Sequence, residues 1–546
     1  MVFLERSSQS LPVGFASTVA DTFSLLIGTL KRTNDKVTQI TLNMTSFNDA
    51  MTALYSSLHQ ANSKEALDQS ALRRTQTVQD MRTYMTRLEL TIDSTIHLIH
   101  ITGTKGKGST ASFCESILRL AYQKRTGLFT SPHLVDIRER IRVNGKPISE
   151  SVFGEVYWEI RRRLETNAKE ENDLPILPGY FRMLTLMALF CFQFYEPGLD
   201  VIILEVGMGG RYDATNIIDL PGRVVACGVT LLDLDHTRIL GDTLEEIAKE
   251  KGGIFQRLKG ITCHDDTKRI ETSSKQFFAI DTNTDSVLSV LQYCASQEGL
   301  GTLATVSHGD ALSDDVPLGL AGPHQRINAE LAIALCQSVM GETNTTLLHQ
   351  SLLLASWPGR CQTFCLHRGL SFHLDGAHTP LSMEACLAWY QSIPMASNAK
   401  RLLLFNCSHE RNPVPLLQQL STLSFEHVYF CKADFERPSG VGKPRAKELL
   451  ADTGISRIAH DDSEVSPTWQ ETLAILWKVL KDDSMSTTGL SVKEVINSHL
   501  GGQEFDTHVL VTGSLYMVGS VLDAVCWKEE AAGGFVVITP LFPSEV

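Results

Sequence analysis

Ile96-His97-Leu98-Ile99-His100-Ile101-Thr102-Gly103-Thr104-Lys105-Gly106-Lys107-Gly108-Ser109-Thr110 is the stretch from which the fold is read. An apolar run ends in a glycine-spaced, lysine-bearing turn. Beyond it Phe113, Ile117, Leu120 and Ala121 are spaced to share one helix face. Strand, glycine loop and helix together present backbone N–H groups and a helix N-terminus to an anion. Gly103, Gly106 and Gly108 allow the backbone close to phosphate oxygens, with no Cβ in the way. Lys107 supplies a positive charge for the β/γ-phosphates, and the Ser109 hydroxyl is a Mg²⁺ ligand type. The common consensus puts Ser or Thr directly after the lysine, whereas here Gly108 intervenes. The bland alternative is a glycine-rich turn with a surface lysine. The flanking strand and helix favour a nucleotide-binding loop.

At 546 residues the chain exceeds one ordinary core, so two or three domains are expected. The division read from the pattern is a tail over 1–45, a nucleotide-binding domain over 46–355 and a second α/β domain over 356–546. Composition is 43% hydrophobic and 20% charged, with a net charge of -13, which argues against nucleic acid as the main partner. An acidic chain with an anionic ligand must concentrate its positive charge locally. The 12 cysteines include no C-x-x-C pair, which weighs against a disulfide framework or structural zinc site and for a reducing compartment. No apolar stretch approaches the ~20 residues of a membrane span. The nearest, Phe181 to Tyr195, contains Arg182 and Gln193 and reads as a buried helix. Residues 1–40 are poor in acid (Glu5, Asp21, Asp35) and carry Arg6, Lys31, Arg32 and Lys36. That composition suits either a plain tail or an organellar presequence, so cytoplasm is expected, with the mitochondrion as second location.

Outward from the loop, Ser46 to Leu90 reads as helical and Gly127 to His133 as a short strand ended by Pro132. Leu199 to Val206 is apolar on both faces, the pattern of a central parallel strand, with Glu205 at its C-terminal end. Arg223 to Thr230 repeats the pattern and leads to Asp233, Asp235 and His236. Residues 260–316 read as peripheral strands and loops, and His324 to Met340 as helix. Ser356-Trp357-Pro358-Gly359-Arg360 marks a boundary. Beyond it strands recur at 372–375, 402–405, 428–430 and 509–511, with a late helix over Ser514 to Trp527. Leu480 to Asp506 reads as a surface loop. The fold class is therefore α/β: a P-loop-containing, mostly parallel sheet domain plus a smaller C-terminal α/β domain.

A buried acid at a strand end opposite the loop suits the Mg²⁺ that bridges nucleotide phosphates, and Glu205 fits. His236, at the same sheet edge, is a candidate for a second metal. Lys251, by spacing alone, is only a cation near a helix C-terminus. In the second domain Arg360 suits a phosphate, and Asp375 and His378 suit orientation of nucleotide or reacting group, with substrate in a cleft between the domains.

Ten motifs occur together: I-T-G-T-K-G-K-G-S-T (101–110), T-S-P-H-L (130–134), R-E-R-I-R-V-N-G (138–145), Y-F-R-M-L-T-L-M-A (180–188), E-V-G-M-G-G-R-Y-D-A-T-N (205–216), D-H-T-R-I-L-G (235–241), K-G-G-I-F (251–255), H-Q-R-I-N-A (324–329), W-P-G-R (357–360) and L-D-G-A-H-T (374–379). In this order they resemble the folylpolyglutamate synthases, eukaryotic type, of the Mur-ligase-like superfamily of ATP-dependent amide ligases. The resemblance implies ATP-driven phosphorylation of the γ-carboxylate of a folate's terminal glutamate. The amine of an incoming L-glutamate then attacks the acyl phosphate, with release of ADP and phosphate. It further implies reduced folates as substrates, a monomer, two Mg²⁺ sites, and admits a monovalent cation such as K⁺. Carried over by motif, Lys107 and Ser109 hold phosphates and the first Mg²⁺ within a loop of Gly103, Thr104, Gly106, Gly108 and Thr110. Ser131 and Glu205 complete that metal's protein ligands, and His236 ligates the second. Lys251 matches a lysine carbamylated by CO₂ in relatives. Asn328 and Arg360 contact nucleotide, with Asp375 and His378 beside it. The resemblance thus places Lys107, Ser131, Lys251 and His378 in the catalytic set.

Three departures stand out: Asn412 where relatives commonly carry Asp, an unfamiliar segment after Phe255, and the unmatched 480–506. Dihydrofolate synthase, which joins glutamate to dihydropteroate on the same scaffold, shares the ATP half of the chemistry and is the alternative enzyme. A non-catalytic nucleotide-binding module is the alternative of another class. It would predict eroded metal ligands, yet Ser109, Ser131, Glu205, His236 and Lys251 are all present.

Overall fold

A computed structural model describes residues 46–60, 73–168, 174–217, 225–255, 275–297, 302–367, 369–409, 411–433, 448–449, 467–481, 485–500, 506–529 and 535–537. The expected tail and presequence over 1–45, part of the Ser46–Leu90 stretch and the segment directly after Phe255 lie outside the described residues.

The first sheet has eight strands in the order β4-β3-β2-β5-β1-β6-β7-β8. They are β1 His97–Thr102, β2 Thr126–Phe129, β3 Ile141–Val143, β4 Lys146–Pro147, β5 Val201–Glu205, β6 Val225–Val229, β7 Lys275–Ile280 and β8 Leu303–Val306. All neighbours run parallel except the β2–β3 and β3–β4 pairs. β1 sits centrally, with Ile101 opposite Glu205 on β5 and Gly228 on β6. The apolar runs at β1 and β5 have a plain cause: both faces of the sheet are covered. Leu98, Ile202 and Leu204 enter one core with Leu184, Met187 and Phe190. Ile99, Ile101 and Ile203 enter the other, against Phe113, Ile117, Leu331 and Leu335. The Phe181–Tyr195 stretch is the expected buried helix, Tyr180–Phe190 continued by a wider turn.

The described parts of the Ser46–Leu90 stretch are largely helical, over Phe47–Gln60 and Thr77–Arg87. One expectation needs correction in this half of the chain. The 260–316 region holds β7 and the edge strand β8 but also a 12-residue helix, Asp285–Ser296. Thr284 caps it by accepting the Val287 N–H, and Val287, Leu291, Cys294 and Ala295 are buried at i, i+4, i+7, i+8 spacing. That stripe was hidden by the polar residues around it.

The second sheet has six strands in the order β13-β12-β11-β14-β10-β9: β9 Gln362–His367, β10 Leu370–Leu374, β11 Lys400–Phe405, β12 His427–Lys432, β13 Met485–Ser491 and β14 Thr507–Thr512. Only β9–β10 is antiparallel. The surface loop expected over 480–506 is contradicted. Met485–Ser491 pairs in parallel with β12, and a helical turn follows in which Val492, Val495, Ile496 and Leu500 are buried. An edge strand needs backbone partners more than an apolar face, so its Ser and Thr residues misled the reading. The Leu515–Ala524 helix packs beneath β14. All strands of the first sheet precede residue 356 and those of the second follow it.

Candidate active site

The loop between β1 and the Lys107–Ser116 helix is held open for a ligand. Gly106 has φ +89°, and a Cβ there would collide with the Asn328 side chain. Gly108 departs from the usual consensus for a local reason: a Cβ would lie 2.8 Å from Trp357 Nε1 and 3.6 Å from Glu205 Oε2. The N–H groups of Thr104 and Lys105 donate to the Leu231 carbonyl at 2.9 and 3.0 Å, and Thr104 Oγ1 donates to the Asp233 carbonyl at 3.1 Å. Thr104 therefore ties the loop to the end of β6. Ser109 and Thr110 are buried, and Thr110 Oγ1 has no hydrogen-bond partner among the described residues. The Lys107 ammonium is half-buried and has no ion pair among them. Orphaned hydroxyl, free ammonium and Cβ-less cradle fit a polyphosphate.

Glu205 is buried at the carboxyl end of β5, where its Oε2 accepts from the Thr130 hydroxyl and, at 3.1 Å, from the Ser131 N–H. Its closeness to Gly108 sets it beside the helix turn that carries Ser109. Ser109, Ser131 and Glu205 thus come from three segments to one place. No group of three or more His, Cys, Asp or Glu side chains able to hold a metal occurs among the described residues. Hydroxyls with a single carboxylate suit a hard cation that retains waters and shares phosphate oxygens. His236 lies beyond β6 in a left-handed conformation, φ +54°, with its N–H on Asp235 Oδ1 at 2.9 Å. Thr130 went unnoticed in the sequence, although it neighbours Ser131.

Lys251 corrects the reading made from spacing alone. The Leu244–Lys251 helix, started by a Thr243–Glu246 capping box, delivers the amine under the loop. Lys251 is buried, and its Nζ donates to the Gly103 carbonyl at 2.8 Å. Burial, then the charge of Lys107, drives its pKa well below the ordinary lysine value. Gly210 leaves room for this, since a Cβ there would be 2.6 Å from the Lys251 carbonyl oxygen.

The second domain closes on the loop through a polar network that sequence reasoning did not assemble. Lys105 Nζ donates to His378 Nε2 at 3.1 Å and lies 3.7 Å from Asp235 Oδ2. His378 Nδ1 donates to the Gly376 carbonyl at 2.7 Å, which leaves Nε2 as the acceptor. Arg411 Nη2 donates to Asp235 at 3.0 Å while its Nη1 reaches the His378 carbonyl at 3.2 Å. Thr379 Oγ1 donates to Asp233 Oδ2 at 2.9 Å. Burial opposes ionisation of Asp235, yet the charges of Arg411 and Lys105 hold its carboxyl far below the usual range. Burial, then Lys105, pushes His378 down to about 4, and burial lowers Lys105 to about 8 against the pull of Asp235. The local concentration of positive charge expected of an acidic chain is this cluster of Lys105, Lys107 and Arg411.

Asp375 spends both oxygens on backbone, Oδ2 on the Cys361 N–H and Oδ1 on the Ala377 N–H, each at 2.9 Å. It therefore shapes the turn that presents Arg360. The Arg360 guanidinium has no ion pair among the described residues. Asn328 is buried, packs on Gly106 and donates to Gln325 Oε1 at 3.0 Å.

A P-loop with its hydroxyl–carboxylate pair, capped by an α/β domain bearing His378 and Arg411, defines an ATP-dependent ligase of the Mur-ligase-like superfamily. The chain is 37% identical over 528 residues to the bovine "Folylpolyglutamate synthase, mitochondrial", covering 81% of this chain and 86% of that protein. It is 33% identical over 510 residues to a Saccharomyces cerevisiae folylpolyglutamate synthase, covering 87% and 86%. The match to the human mitochondrial protein, 38% over 389 residues, spans 64% of this chain and 62% of that one. Among solved structures, Escherichia coli FolC in complex with DHPP and ADP superposes with a TM-score of 0.60 at 25% identity, over 82% of this chain and 92% of that one. A Mycobacterium tuberculosis folylpolyglutamate synthase complexed with ADP and AMPPCP shares the fold, with TM-score 0.60 at 23% identity, over 86% and 98%. No family model matches. The chain belongs to the folylpolyglutamate synthase family.

Proposed function

We propose that the chain uses ATP to join L-glutamate to the γ-carboxylate of reduced folates, and repeats this to build polyglutamates. The observation that carries the reading is convergence: Lys105 of the loop meets His378 of the second domain, and Lys251 meets the Gly103 carbonyl beneath the loop. Carboxylate is a poor electrophile, so phosphorylation by ATP supplies a leaving group, and the glutamate amine then displaces phosphate. Lys107 and Arg360, each without an ion pair among the described residues, approach the phosphates from the two domains. The cradle at Gly106 and Gly108 lets backbone N–H groups do the same. Ser109, Ser131 and Glu205 would hold one Mg²⁺, and His236 a second. Such ions neutralise charge developing on the transferred phosphoryl group. His378, neutral at physiological pH, offers an Nε2 lone pair beside the loop, now taken by Lys105. Burial of the Lys251 amine favours its uncharged form, the form that reacts with CO₂. We assign it as the site of carbamylation, which would turn a buried amine into an anionic oxygen ligand.

We place the domain boundary near residue 356 and propose a monomer. We further propose a mitochondrial as well as a cytoplasmic pool. The word "mitochondrial" in the bovine and human relatives' names and the acid-poor residues 1–40 support the former.

The test is ATP- and Mg²⁺-dependent incorporation of labelled glutamate, with tetrahydrofolate and dihydropteroate in parallel. Products extended by several glutamates on the folate are expected. Incorporation on dihydropteroate alone would instead establish dihydrofolate synthase.

A further inference from the structure

The loop that follows Ser131 belongs to the first domain by chain order and to the second by packing. Leu134 is buried in the second domain's core with Phe372, Leu374, Met517 and Val518, and Val135 packs at its edge. Two glycines of the second domain accept it. At Gly519, in the Leu515–Ala524 helix, a Cβ would collide with the Leu134 carbonyl oxygen. At Gly359, φ +71°, a Cβ would sit 2.9 Å from Val518 Cγ1 and 3.1 Å from Leu134 Cδ1. Gly359 immediately precedes Arg360.

The loop is also stiff. The Glu139 carboxylate accepts the N–H groups of Leu134, Val135 and Asp136 at 2.7, 3.0 and 2.8 Å. His133 Nδ1 is 2.8 Å from Arg140 Nε. At its other end the loop begins at Ser131, whose N–H is fastened to Glu205. A displacement of Leu134 is therefore transmitted in both directions, toward Glu205 through a short braced segment and toward Arg360 through the packing on its neighbour Gly359.

We propose that Leu134 is a positioning residue for the ligase reaction, fixing the Arg360 turn of the second domain against the Ser131–Glu205 end of the first. The inference rests on the function proposed above, in which Arg360 meets the nucleotide. The two fail separately. Absence of glutamate incorporation by the wild-type chain would sink the ligase reading, while the coupling is still read from the affinity for a non-hydrolysable ATP analogue.

The experiment is a double-mutant cycle on the full chain with Leu134→Ala, Arg360→Ala and both together, reading analogue Kd with Mg²⁺ and the KM for ATP. Leu134→Ala is expected to weaken both by about tenfold, within the coupling range of residues that act through each other. The double variant is expected to be no weaker than Arg360→Ala alone, because Arg360 is already lost to the nucleotide. Leu134→Met, close in volume, restores near-normal values. Additive losses in the cycle would show that Leu134 is only a core residue and overturn the proposal. So would unchanged ATP affinity in a folded Leu134→Ala protein. Should that variant not fold, Leu134→Val replaces it in the same cycle, judged by the same additivity.

Discussion

At the scale of single residues, Glu205 is the sharpest case, because one buried carboxylate organises Thr130, Ser131 and the turn bearing Ser109. Glu205→Gln keeps the shape and removes the charge. The expected result is a loss of turnover of about 100-fold or more with an unchanged melting temperature, since such charge acts on the phosphoryl transition state. Near-normal turnover at ordinary Mg²⁺, measured by labelled-glutamate incorporation, would remove Glu205 from the metal site. Gly108→Ala tests the variant loop. Its methyl group would press on Trp357 Nε1, 2.8 Å away, so the variant should lose about 1–3 kcal/mol by overpacking and weaken ATP binding with it. Lys251 calls for a different readout. Carbonate-depleted buffer should lower the activity of the wild-type enzyme and added bicarbonate should restore it. Insensitivity to both would leave the buried amine without the assigned modification.

At the scale of elements, the legible parts were those with strong local signals. β1 and β5 are apolar on both faces because helices cover both, and that pattern is visible in one dimension. The Asp285–Ser296 helix and β13 were missed because their signals are partial: a stripe of four buried residues in the first, backbone pairing along a sheet edge in the second. The second sheet also carries a pH response. His373 on β10 stacks on His508 of β14 with ring nitrogens 2.9 Å apart, and burial, then His508, pushes its pKa down to about 3. The unfolded chain, with histidine near 6.5, binds more protons than the native state below that pH. The His373 contribution to stability should therefore be flat above about pH 6.5 and fall as pH drops from there toward about 3, by at most roughly 1.4 kcal/mol per pH unit. Urea unfolding at pH 7.5 and pH 5 checks this. In His373→Phe the part of the slope owed to His373 should vanish.

At the scale of the whole molecule, the two domains meet through Leu134 on one side and through Asp235 on the other. Asp235 faces Lys105, His378 and Arg411 in a half-buried seam. Asp235→Asn leaves Lys105 and Arg411 without their counter-charge, and a destabilisation of about 3 kcal/mol is expected, with a larger relative loss of activity. Thermal melts and kcat read the two, and a silent variant would show the seam to be incidental.

What the sequence by itself determined was local: the β1–loop–helix unit, the carboxyl-end placement of Glu205, the alternation that makes an α/β fold, and family membership through ten motifs. These depend on periodicity, turn chemistry and residue order, all of which act over a few positions. The tertiary structure alone decided that Lys251 is a buried amine rather than a helix-end cation, since its partner Gly103 is 148 residues away. It alone placed Lys105 on His378, 273 residues apart, and seated Leu134 in the other domain's core. Burial and charge proximity set these properties, and both are sums over neighbours that the chain brings together only when it folds.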